Sequence, residues 1–79
     1  MATTQITRSI DARGTACPGP LMALIGAIRQ AEIGDVIEVL SSDEGSKSDI
    51  PAWVEKASHE LVEVRPEDGC ARFIIRKAR

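Results

Sequence analysis

Leu21-Met22-Ala23-Leu24-Ile25-Gly26-Ala27-Ile28-Arg29-Gln30-Ala31 is the longest apolar segment of the chain, and its spacing decides the architecture. Leu21, Leu24, Ile25 and Ile28 recur at intervals of three and four, which places them on one face of a helix. Gly34 stands where a helix stop is expected. Gly26, inside the run, costs about 1 kcal/mol against alanine unless a neighbour packs closely, so a close approach to another layer is expected there.

Upstream of this helix, Ile6, Arg8 and Ile10 alternate with Thr7 and Ser9 in a short strand pattern, and Asp11 to Thr15, with Gly14, reads as a turn. Met1 to Thr4 are small and polar and are expected to fray. Downstream, Val36 to Leu40 has the β-branched composition of a buried strand, and Ser41 to Ser48 reads as a polar loop. A second helix starts between Ser46 and Pro51, since proline belongs in a first turn, and runs through Trp53, Val54 and Ala57. Leu61 to Arg65 and Ala71 to Lys77 have strand composition, and Pro66-Glu67-Asp68-Gly69 between them favours a tight hairpin. The order is β-α-β-α-β-β. Two helices that must bury one stripe each, and four short strands, predict an α/β two-layer sandwich: a four-stranded mixed sheet with both helices on one face.

A chain of 79 residues holds one such domain, 1–79, and no deep cavity, so anything it handles is held near the surface. The net charge of −2, one Phe, one Trp and no Tyr argue against a generic nucleic-acid binder, for which a basic face and stacking aromatics are expected. Only Arg72 to Arg79 is locally basic. The longest apolar stretch is well short of the roughly 20 residues that span a bilayer, so no membrane segment is expected. Two cysteines and no recognisable secretory leader point to a reduced, cytoplasmic protein. One His and two distant Cys leave no metal-ligand spacing, so no metal site is expected.

The chemistry concentrates at Cys17, in Ala16-Cys17-Pro18-Gly19-Pro20, where the first helix begins. A helix N-terminus offers unsatisfied N–H groups and partial positive charge, and both favour a thiolate. Pro18 and Pro20 fit a first turn because the N–H that proline lacks is unused there, and with Gly19 they form a rigid frame that presents the sulfur. No side chain of this frame is an acid or a base, which suits holding a sulfur better than acid–base catalysis. The absence of a second cysteine in the motif argues against a dithiol oxidoreductase. Arg13 is a candidate for favouring the anionic sulfur or for meeting an acidic partner. His59, between a helix and a strand, is read as a cap of the preceding helix rather than a base acting on Cys17. Trp53 is expected to anchor the second helix to the sheet.

Asp11-Ala12-Arg13-Gly14 before Cys17-Pro18-Gly19-Pro20, then Ser42-Asp43, Asp49-Ile50-Pro51-Ala52-Trp53, His59-Glu60-Leu61 and Phe73-Ile74-Ile75-Arg76-Lys77, resemble the TusA (SirA-like) family of sulfur carriers across nearly the whole chain. The resemblance implies a two-layer α/β sandwich and a sulfurtransferase role. In that role Cys17 accepts sulfane sulfur as a transient persulfide, with no other cofactor. The donor would be a cysteine desulfurase or rhodanese, and the acceptor a DsrE/TusD-like protein. It also makes the charged loop with Asp43, Lys47 and Asp49 a docking rim, beside Arg13. The pathway served, whether transfer RNA thiolation, cofactor assembly or sulfur oxidation, depends on partners. Two departures stand out. Ser58 replaces the glycine that often precedes the family's His, which predicts a less sharp turn after the second helix, and Cys70 lies outside the shared pattern. Two alternatives stay open: a non-catalytic regulatory module that binds protein or nucleic acid through Arg72 to Arg79 and the second helix, and a redox switch between Cys17 and Cys70.

Overall fold

The computed structural model describes residues 6–15 and 19–79. The chain order is β1 (Arg8–Asp11), α1 (Gly19–Gln30), β2 (Val36–Ser41), α2 (Ser46–Lys56), β3 (Glu60–Glu67) and β4 (Cys70–Arg76). The expected fray of Met1 to Thr4 lies outside the described residues, as do Cys17 and Pro18. The sheet order is β1-β2-β4-β3, with β1 parallel to β2 and the other two pairings antiparallel. Leu24, Ala27 and Ile28 of α1 and Ile50 and Val54 of α2 share one core with Ile37, Val39, Phe73 and Ile75 of the two central strands. Both helices therefore cover the same sheet face, giving the two-layer mixed α/β sandwich that the sequence predicts.

The opposite face carries no helix, and a polar network of Ser9, Glu38 and Arg72 runs across it beside Val36, Leu40 and Ile74. Register pairs Ser9 with Glu38 and Arg65 with Arg72 there. The Ser9 hydroxyl donates to Glu38 Oε1 at 2.7 Å, and Arg72 donates to Glu38 Oε2 at 2.6 Å and to Glu67 Oε2 at 2.7 Å. The Ser9 hydroxyl above all, and then Arg72, hold the Glu38 carboxyl below the usual carboxylate range against the opposing effect of burial.

Four local expectations are corrected. Gly26 does not approach the sheet: it is exposed, and a Cβ built on it meets nothing within 4 Å. It lies two residues from both Leu24 and Ile28, about 200° around the helix from the core stripe, so it faces outward beside the 60 % exposed Met22. Nothing in the packing explains a glycine at this position. Secondly, α1 ends at Gln30 rather than near Gly34. Lys77 ends it from across the fold, its ammonium donating to the carbonyls of Ile28 at 2.8 Å and Ala31 at 2.7 Å. Gly34, at φ +97°, serves the turn into β2.

Thirdly, Pro51 lies in the second turn of α2, not the first. The helix is entered through three successive i→i−3 bonds, Ser46 to Asp43, Lys47 to Glu44 and Ser48 to Gly45, before Asp49 closes the first α-type bond to Gly45. This tight entry starts α2 early, and the carbonyl opposite the missing N–H of Pro51 belongs to the exposed Lys47, where water can reach it. Fourthly, Pro66 and Glu67 belong to β3, so only Asp68-Gly69 turn the hairpin, with Gly69 at φ +74°. Proline is tolerated there because β3 is an edge strand that pairs on one side only.

Ser58 overturns the expectation of a slacker turn. It takes the left-handed conformation itself, at φ +62°, and the N–H of His59 reaches the carbonyl of Val54 at 3.0 Å, closing α2 as a glycine would. A side chain in that conformation costs about 1–2 kcal/mol. Ser58→Gly relieves this and loses part of the gain through the freer unfolded chain. The expected result is a net stabilisation of about 0.5–1 kcal/mol, checked by urea unfolding with unchanged slope.

Candidate functional site

Each of the parallel strands β1 and β2 is followed by a helix, so the N-termini of α1 and α2 open at the same end of the sheet, beyond the strands' C-terminal ends. Two positive dipole ends thus lie at the end of the sheet where Thr15 leaves the turn and Gly19 begins α1, although the first N–H groups of α2 are already bonded by its own tight entry. The sequence shows the first helix terminus; the second becomes visible only with the strand order.

The turn that leads into this segment is built from its own residues. The Asp11 carboxylate accepts from the Arg13 N–H at 3.1 Å, from its Nε at 2.8 Å and from its Nη2 at 2.7 Å. These bonds, the side-chain ones foremost, hold the Asp11 carboxyl down at about 2. The Thr15 N–H bonds the carbonyl of Ala12 at 3.2 Å. Gly14, at φ +83°, donates its N–H to Ser42 Oγ at 2.9 Å, across to the loop between β2 and α2. Arg13 is exposed, and its guanidinium is engaged with Asp11.

The segment closes on itself at its base. A Cβ built on Gly19 would collide with the Thr15 methyl group, so the Thr15 side chain lies directly against the backbone of the first residue of α1. Pro20 follows, buried in the core side of the helix. Beneath the entry to α2, the hydroxyls of Ser41 and Ser46 are bonded to each other at 2.7 Å, both fully buried.

A groove of about 220 Å³ adjoins this end, between the β2–α2 loop and the β3–β4 hairpin. Asp43, Lys47 and Cys70 are among the residues that line it, and Lys47 is paired with Glu44 at 3.2 Å. Asp49 is exposed on α2 and is not among its lining residues. A shallower depression formed by Gly14, Thr15, Ser42 and Asp43 lies beside it. Cys70 reaches this end because β4 runs antiparallel to β2, with Ala71 opposite Ser41, so the first residue of β4 lies beyond the last of β2. No pattern in the sequence marks it; Ser42 is marked only as part of the Ser42-Asp43 landmark, and its bond to Gly14 depends on a partner 28 residues away.

His59 lies at the other end, between α2 and the start of β3. Its Nδ1 accepts the N–H of Ala78 at 3.1 Å, and its ring is 5.6 Å from that of Trp53, which packs on the core. Burial, reinforced by Lys77 and Arg79, pushes its pKa down, which keeps the ring neutral as that bond requires. The expected capping of helix carbonyls by its ring is replaced by this hold on the C-terminal segment. The basic stretch is likewise engaged internally: Arg72 with Glu38 and Glu67, Arg76 with Glu60 at 3.3 Å, and Lys77 with two carbonyls of α1. No helix among the described residues is long and apolar enough to cross a membrane, and no group of three His, Cys, Asp or Glu among them is placed to hold a metal ion.

The chain and its fold have counterparts in known proteins. The chain is 57 % identical over 68 residues to a protein of Archaeoglobus fulgidus named "Putative sulfur carrier protein", a match covering 86 % of this chain and 93 % of that one. It is 37 % identical over 68 residues to the sulfur carrier protein TusA of Pseudomonas paraeruginosa, covering 86 % of each. The crystal structure of a SirA-like protein from Desulfitobacterium hafniense shares the fold, with a TM-score of 0.81 at 24 % identity over 92 % of this chain and 100 % of that one. Residues 8–77 match the family described as Sulfurtransferase TusA, and the chain belongs to that family of sulfur carriers.

Proposed function

We propose that this sulfur carrier acts as a sulfurtransferase that holds sulfane sulfur as a persulfide on Cys17 and hands it to an acceptor protein. The observation that carries the reading is the base of the segment 15–19: Thr15 packed on Gly19, at the end where two helix N-termini converge. Such a setting favours an anionic sulfur, whether thiolate or persulfide, without a general base.

In the loading step the Cys17 thiolate attacks the outer sulfur of a donor persulfide. One S–S bond forms and the donor's S–S bond breaks, its electron pair leaving on the donor thiolate, so no external oxidant or reductant is consumed. Unloading repeats the step with the acceptor thiolate as nucleophile and Cys17 as leaving group. A thiol pKa lowered toward ambient pH helps Cys17 in both directions, because it raises the thiolate fraction on loading without giving up much nucleophilicity and makes a better leaving group on unloading. The sulfur is cargo, and no further cofactor takes part. A cysteine desulfurase or rhodanese fits the donor and a DsrE/TusD-like protein the acceptor. The pathway served, transfer RNA thiolation, cofactor assembly or sulfur oxidation, follows from those partners. Asp43 and Lys47, together with Asp49 on α2 and Arg13 before Cys17, supply charged groups for docking them.

The regulatory-module reading loses support from the internal bonding of Arg72, Arg76 and Lys77, which leaves little of the basic stretch free for a partner. With a labelled-sulfur rhodanese as donor, label passes to this chain and onward to an acceptor thiol protein. Charge reversal of Arg76, which pairs only weakly at the surface, leaves that transfer intact. Transfer that survives Cys17→Ser, or collapses on reversing Arg76 in a folded protein, would reverse the ranking.

A further inference from the structure

The two helices cover one sheet face but differ in what they show to solvent. Lys47, Ser48, Asp49, Glu55 and Lys56 stand exposed on α2, the polar surface that an amphipathic helix turns outward. From Gly19 to Ile28, α1 carries no polar or charged side chain on any side. Its buried residues are Pro20, Leu24, Ala27 and Ile28, and on the opposite side Met22 and Gly26 are exposed between the half-buried Ala23 and Ile25. A helix that is apolar all round is ordinarily a buried one, yet this side is left to solvent. Gly26 makes the strip uneven. Its missing side chain leaves a notch one turn beyond Met22, with nothing of this chain within 4 Å of the Cβ position. In a helix interior glycine is the least favoured residue short of proline, so its presence there points to something outside that uses the space. Just past the strip, Arg29 is exposed and takes part in none of the ion pairs among the described residues.

We infer that the outward side of α1, with Met22, Gly26 and Arg29, is a docking surface for the sulfur-donor protein, which seats an apolar side chain in the Gly26 notch and sets an acidic group against Arg29. Charge complementarity assigns the acidic group, and size assigns the kind of partner. A 12-residue helix is about 18 Å long and about 10 Å across, so this side offers roughly 200 Å², against about 800 Å² per partner in a stable assembly. A second copy of the chain fits less well, because its own α1 has no acidic residue to bring to Arg29. A contact of this size suits a donor that docks, transfers and leaves. The inference rests on the sulfur-carrier reading, in which the helix follows the cargo-bearing Cys17 directly in the chain.

The test compares two sulfur sources for the reduced full-length protein: inorganic polysulfide, which needs no docking surface, and a rhodanese loaded with labelled sulfur. In Gly26→Gln a bulky neutral side chain fills the notch and a better helix former replaces glycine, so the variant should melt no lower than wild type. Its second-order rate of uptake from the rhodanese falls about tenfold, the loss that corresponds to one well-buried interface contact. Arg29→Glu lowers that rate about three- to tenfold, and the difference shrinks in high salt. Uptake from polysulfide is unchanged in both, and Glu55→Gln, on the exposed side of α2, keeps both rates. An unchanged rate from the rhodanese in Gly26→Gln overturns the inference, as does an equal fall from both sources. Wild type that sediments as a dimer, with Gly26→Gln a monomer, would put a second copy on this surface instead. Wild type that takes sulfur from polysulfide and not from the rhodanese removes the donor as occupant and leaves the carrier reading standing; wild type that takes it from neither removes both.

Discussion

Phe73→Ala is expected to destabilise the domain by about 3–5 kcal/mol, the range for emptying a fully buried aromatic site. Phe73 is the single Phe of the chain, is fully buried, and lies on the central strand β4 with Val39 on one side and Val64 on the other. Both helices pack over this face of the sheet, so the void cannot be filled by the collapse of one loop. Small domains hold roughly 5–15 kcal/mol in total, and those with little core sit at the low end. The variant should therefore melt at least about 12 °C below wild type, taking about 4 °C per kcal/mol as the lower bound for this size. A decrease of only a few degrees in differential scanning calorimetry would mean that the core repacks around the loss, contrary to the close packing described above.

The second large effect is expected at Gly19. Alanine is normally the better helix residue by up to about 1 kcal/mol, so Gly19→Ala in isolation should stabilise α1. The Thr15 methyl group stands in the way of the new Cβ, and either Thr15 rotates or the base of the Cys17 segment opens. Overpacking of this kind costs about 1–3 kcal/mol, which outweighs the propensity gain. Thr15→Ser removes the obstructing methyl, so Gly19→Ala should be nearly neutral or stabilising in that background. The double-mutant cycle then shows a coupling of at least about 1 kcal/mol. Equal effects of Gly19→Ala in both backgrounds would show that Thr15 simply turns aside and that the segment is not pinched at its base.

Much of the fold is legible in the chain because its strongest patterns are local. The three- and four-residue spacing around Leu24 and Ile28 specifies α1, and the β-branched run at Val36 specifies β2, whatever else surrounds them. The misreadings are of two kinds: Gly26 and Pro51 turn on local helix geometry, and Pro66 and Ser58 depend on something distant. Gly26 was expected against the sheet, although the stripe it interrupts already turns it to the opposite side of the helix. Pro51 marks a helix start only if the helix begins with α-type bonds, and here tighter bonds at Ser46 to Ser48 begin it earlier. Pro66 ends a strand in a sheet interior but not at an edge, and β3 is shown to be an edge only by the strand order. Ser58 takes a glycine's conformation because the packing of α2 and β3 on either side outweighs its local preference.

The site divides along the same line. Cys17 and its proline frame stand out because the motif and the helix start are contiguous. Ser42 and Cys70 gain their positions from the parallel pairing of β1 with β2 and the antiparallel return of β4, which bring residues 28 and more positions apart to one end. The basic stretch shows the converse. Arg72, Arg76 and Lys77 look like a patch in sequence, yet strand alternation and the end of α1 give each its own partner within the fold. Charge read along a chain measures a surface only when its partners are known.

Loading with a sulfane-sulfur donor tests the central claim most directly. Reduced wild type, Cys17→Ser and Cys70→Ser are each incubated with inorganic polysulfide, freed of excess reagent and weighed intact, and a sample of each is then treated with dithiothreitol. Wild type and Cys70→Ser should gain the mass of one sulfur atom and lose it on reduction, while Cys17→Ser gains none. Sulfur retained in Cys17→Ser to the same extent as in wild type, or lost in Cys70→Ser, would contradict the claim.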